Sequence, residues 1–101
     1  MNKEVFIKEK LNNFIIFIES IIGKDNNIYK DFISYKNDIK LFLQAIMQIS
    51  GFAVKEGNNK VLPKEHIFKY LEYQNITKKI EDKDIIKLNR YFNMFIKIIE
   101  S

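Results

Sequence analysis

The chain has 101 residues, no cysteine, one histidine and a formal net charge of +4. That length suits one domain, 1–101, with a single core. The missing thiols exclude disulfides, thiolate catalysis and cysteine-ligated zinc. Apolar residues at 47% and charged residues at 30% mark a globular chain, and an Ile-, Lys- and Asn-rich composition raises the basic balance without requiring a nucleic-acid partner.

The first segment, about Lys3 to Ile22, places Phe6, Leu11, Phe14, Ile15, Ile18 and Ile22 on one broad helical stripe. Its run Phe14–Ile18 is too short for a bilayer, which takes about 20 apolar residues. Glu19 follows at once, Glu4 and Glu9 spoil a basic leader, and no small-residue cleavage site appears. The expectation is a soluble, cytoplasmic protein with no membrane partner. Gly23 and Asp25-Asn26-Asn27 supply a stop, a loop and a cap.

From Ile28 the apolar positions Phe32, Tyr35, Ile39, Phe42, Ile46, Ile49 and Ala53 alternate at spacings of four and three. That heptad seam predicts one long central helix, about Ile28 to Lys55, packed at a shallow angle. Leu41, Leu43 and Met47 widen its second half toward an all-round apolar surface, which calls for partners on nearly every side. Tyr35, Ile39, Phe42, Ile46 and Ile49 are therefore a candidate subunit interface, with burial inside the monomer as the equal alternative. Glu56-Gly57-Asn58-Asn59-Lys60 reads as a loop, and Pro63 opens a short helix over about Lys64 to Tyr73. Asn75-Ile76-Thr77 interrupts it. A last helix runs from about Lys78 or Asp82 to Ile99, with Ile85, Leu88, Phe92, Phe95 and Ile99 inward. The predicted fold is all-α, an antiparallel four- to five-helix bundle.

Chemistry is sparse. His66, the sole candidate base, has Glu65 and Glu72 as its nearest carboxylates, and neither lies one turn away on its face. It reads as a surface or capping residue. Glu81, Asp82 and Asp84 sit where acidic residues complement the start of a helix. Lys78-Lys79 reads as a solvated pair, and no glycine-rich phosphate loop is present. Tyr29, Tyr35, Tyr70, Tyr73 and Tyr91, interleaved with lysines, suit the edges of apolar stripes better than base stacking. No catalytic residue, cofactor or metal is expected.

The stretch Asn75–Ile99, "NITKKIEDKDIIKLNRYFNMFIKII", resembles the end of HEPN-domain proteins of the HepT-like toxin family. Those carry an aromatic, an Arg, an Asn, three apolar residues, a His, and a Tyr two positions on. The aromatic falls on Tyr91, the Asn on Asn93, and the apolar trio on Met94, Phe95 and Ile96. "DFISYKNDIKLFLQAIMQISGFAV" and "VLPKEHIFKYLEYQNI" resemble the family's central helix and the proline-started helix after it, so the likeness spans about Leu11 to Ile99. The catalytic positions depart from the family: its Arg falls on Phe92, its His on Lys97 and its modifiable Tyr on Ile99. An ammonium with an ordinary pKa of about 10.4 is a poor proton shuttle at neutral pH. The resemblance thus implies a degenerate motif, Arg90, Tyr91, Phe92, Asn93 and Lys97, on a domain without the family's RNase chemistry.

The function expected from these readings is a non-catalytic, HEPN-like interaction module. It would be a homodimer acting through a protein partner in a toxin–antitoxin, CRISPR or anti-phage defence setting. The resemblance implies a small nucleotidyltransferase as that partner. Two alternatives stand beside it. One is a nucleic-acid binder that grips phosphates through Lys87, Arg90 and Lys97 without cutting. The other is a bacteriocin-immunity or phage-encoded inhibitor protein.

Overall fold

A computed structural model describes residues 2–76 and 78–101. Its elements, in order, are α1 (Lys3–Ile22), α2 (Asn27–Ser34), α3 (Ile39–Gln48), β1 (Val54–Glu56), β2 (Asn59–Val61), α4 (Lys64–Tyr73) and α5 (Asp82–Glu100). The chain is predominantly helical, as its apolar periodicity requires, with one small antiparallel sheet. No helix is long and apolar enough to cross a membrane among the described residues.

Each junction follows from a few polar side chains. Asn2 caps α1 by accepting from the Glu4 N–H at 2.8 Å. Gly23 closes that helix at φ +77°, a conformation an L side chain rarely adopts. Asn26 then works on both sides of the corner. Its amide donates to Ile22 O at 3.0 Å, and its oxygen accepts from the Tyr29 N–H at 2.8 Å, fixing the start of α2 to the end of α1.

The single long helix predicted over Ile28 to Lys55 is replaced by two. α2 stops at Ser34, and Asp38 caps a new helix by accepting from the Lys40 and Leu41 N–H groups. The seam passes the break because Phe32 on α2 and Phe42 and Ile46 on α3 are all inaccessible to solvent. Periodicity reported burial correctly and continuity wrongly. Beyond α3, Val54 and Lys55 belong to β1, so the helix also ends earlier than predicted.

The predicted loop Glu56–Lys60 is the turn of a β-hairpin, paired Val54 with Val61, Lys55 with Lys60 and Glu56 with Asn59. Gly57 takes φ +61° at the first position of the two-residue loop, where hairpin turns favour glycine. α4 starts after Pro63 as its fixed φ suggests, and α5 starts with a reciprocal capping box between Glu81 and Asp84. Thr77, part of the predicted interruption after α4, lies outside the described residues.

The core centres on Phe14 of α1. Its ring meets Phe32 of α2 at 5.0 Å between centroids, Phe42 of α3 at 5.3 Å, and Tyr91 and Phe95 of α5 at 5.3 and 6.0 Å, all edge-on. Edge-to-face pairs add to the area term that dominates such clusters. Four helices thus meet on one aromatic residue, and this fixes which face of α5 turns outward.

Candidate functional site

Ile85, Leu88, Phe92 and Phe95 form the buried face of α5. Opposite them, Lys83, Lys87, Arg90, Met94 and Lys97 follow one another at spacings of four, three, four and three. Fourteen steps of about 1.5 Å each make this a ridge about 21 Å long. Lys83 lies 3.4 Å from the Glu81 carboxylate, whereas Lys87, Arg90 and Lys97 have no carboxylate partner among the described residues. Lys87 Nζ instead stands 5.1 Å above the Phe17 ring.

Between this ridge and β2 lies an open groove of about 770 Å³ whose walls include Val61, Ile86, Arg90, Asn93, Met94 and Lys97. Its lining is mostly apolar. Ile86, on the rim, is 55% exposed. Arg90, Asn93 and Lys97, three residues of the stretch whose sequence resembles the HEPN motif, therefore share one groove. Tyr91 and Phe92 point elsewhere: Phe92 is buried, and Tyr91 is half-buried against the Phe14, Phe17 and Phe95 rings. Burial raises the Tyr91 hydroxyl above its ordinary pKa of 10.0, so it stays protonated.

Asn93 has a defined structural role. Its amide donates to Lys60 O at 2.8 Å and to Asn89 O at 2.9 Å, and its oxygen accepts from the Lys60 N–H at 2.9 Å. One turn earlier, Asn89 accepts from the Leu62 N–H at 2.7 Å and donates to Leu62 O at 3.4 Å. Two side-chain amides thus occupy the outer edge of the hairpin where a third strand would otherwise pair. An isolated Asn in an apolar helix is explained by this clasp. Asn89 was not singled out by the sequence, although two asparagines one turn apart were a readable signal. Ile86 and Lys10, which also face grooves on α5, carried no signal of their own.

The candidate interface falls largely inside the chain. Phe42, Ile46 and Ile49 are buried in the core, and Tyr35 and Ile39 are half-buried against it. Of the two readings left open, burial inside the chain describes Phe42, Ile46 and Ile49, and the rings against Phe42 come from α1, α2 and α5. Leu41 and Met47, expected to find partners, are exposed.

The remaining candidates have the following surroundings. His66 is exposed and meets the Phe52 ring edge-on at 4.8 Å. Glu81 and Asp84 cap α5, and Asp82 pairs with Lys64 at 3.0 Å. Among the described residues no group of three His, Cys, Asp or Glu side chains is gathered as a metal site would need. Four of the five tyrosines pack against the core, while Tyr73 is 80% exposed. No family model matches the chain, nor does any curated protein or solved structure.

Proposed function

We propose that the chain is a non-catalytic, HEPN-like helical interaction module that acts by docking a protein partner in the groove between β2 and α5. The observation that carries this reading is the convergence of Arg90, Asn93 and Lys97 on a mostly apolar groove, with unpaired cations beside exposed Ile86. Apolar area supplies affinity and rim charge sets orientation and partner choice. The complementary surface is an amphipathic segment with acidic residues flanking Leu, Ile or Phe. Homodimerisation and a toxin–antitoxin, CRISPR or anti-phage setting belong to the same reading through the resemblance. A dimer would be built from exposed residues rather than from Phe42, Ile46 and Ile49.

The test is selection of a random peptide library on the immobilised chain. Recovered peptides should combine Asp or Glu with large apolar residues, and should lose binding to the double variant Ile86→Glu/Lys97→Glu. Peptides of no common character, or undiminished binding to the variant, would overturn the proposal.

A further inference from the structure

The other flank of the α5 ridge faces α1 across a second groove, of about 760 Å³. That is within the range of about 300–1,000 Å³ typical of small-molecule sites. Lys10 enters it from α1, and Lys83, Lys87 and Arg90 from α5. The one carboxylate on its wall, Asp84, already accepts from the Glu81 N–H at 2.9 Å. Lys10, like Lys87 and Arg90, has no carboxylate partner among the described residues. Lys10 and Lys87 rest their ammonium groups on the Phe6 and Phe17 rings at 5.2 and 5.1 Å. Asn13, Ser20 and Tyr91 complete the lining with neutral polar groups.

Like charges drawn from two helices into one groove repel each other unless an anion joins them. Three donors without acceptors, one of them a guanidinium with its planar fork, match the oxygens of phosphate. Lys87 can swing from the Phe17 face toward such a ligand at small cost, because an exposed cation–π contact is worth only about 0.5–1 kcal/mol. We propose that the α1–α5 groove binds a phosphate-bearing ligand of nucleotide size, held by Lys10, Lys87 and Arg90. The site lies on the α1 side of α5, shares Arg90 and Met94 with the β2–α5 groove, and needs no protein partner there.

A free nucleotide and a nucleic-acid strand present the same phosphate chemistry, and titration separates them. The intact chain is titrated at low salt with ATP, pyrophosphate, adenosine and a short oligo-dT, and binding is followed by calorimetry and amide NMR shifts. ATP and pyrophosphate should shift the Lys10, Lys87 and Arg90 amides, and adenosine should not. Lys87→Glu and Lys10→Gln should each weaken binding roughly tenfold or more, as expected for lost charge-assisted bonds. Lys69→Glu, on α4, serves as the control, and circular dichroism checks that each variant is folded. Binding of oligo-dT alone would overturn a ligand of nucleotide size and assign the groove to a strand. Silence from all probes, or ATP binding unchanged in both variants, would overturn the site.

Discussion

Asn93 exchanges two hydrogen bonds with the backbone of Lys60, donating to its carbonyl at 2.8 Å and accepting from its N–H at 2.9 Å across 33 positions of sequence. The pairing copies what a neighbouring strand would do, and Asn89 repeats it at Leu62. A helix side chain thereby completes a sheet edge.

Asn93→Ala should therefore loosen the hairpin rather than the helix. Net loss should be about 1–3 kcal/mol, the range for one to three bonds, read from urea denaturation. Hydrogen exchange gives the sharper readout. The Lys60 amide should exchange much faster, with the α5 core amides following only the global change.

Installing the catalytic residues of the HEPN proteins that the C-terminal stretch resembles should not create a site. Phe92 is 2% exposed among the core rings, so Phe92→Arg places an unpaired charge in the interior. A cost of about 3–5 kcal/mol is expected, visible as partial or complete unfolding in circular dichroism. Lys97→His, on the exposed ridge, should leave stability within about 0.5 kcal/mol and create no RNase activity. Cleavage by the double variant would show that the buried position can open.

Phe42→Asp should unfold the chain. Phe42 has no exposed surface and its ring contacts Phe14, Phe32 and Phe95. Even Phe42→Ala should cost about 3–5 kcal/mol, measured by thermal denaturation. A stable, folded Phe42→Asp chain of reduced mass in light scattering would restore the interface reading of this seam.

Alkaline stability should depend on Tyr91. Its hydroxyl is raised above 10.0 by burial, so the unfolded chain loses this proton at lower pH than the folded chain. Stability is unaffected by Tyr91 below about pH 10 and falls as pH rises from there toward the folded value. Tyr91→Phe should remove that component of the decline in denaturation midpoints measured on either side of pH 10.

The sequence made much of this architecture legible. The bounds of α1, the start of α4 after Pro63 and the inward face of α5 followed from apolar spacing and caps, because burial and periodicity share one cause. The α2–α3 break did not follow, since Phe32 and Phe42 keep the seam in register across it. The readable signal was Asn37-Asp38, cap chemistry inside an apparent heptad run. The hairpin was less accessible still. Each residue of Val54–Glu56 is exposed, so this strand lacks the alternation that marks a half-buried one. Much of what holds β2 in place is Asn89 and Asn93, about thirty positions away. Likewise, Arg90 and Lys97 could be placed on one helix, but the groove they share is made by β2.

A clasp that grips only peptide groups is indifferent to the side chains it carries. Lys55, Glu56, Asn58 and Lys60 are exposed, and none of their side chains takes part in the clasp, whereas Asn59 lines the β2–α5 groove. The tip is thus a display platform: its surface chemistry can drift, or be rewritten by graft, while two asparagines on α5 hold the frame still.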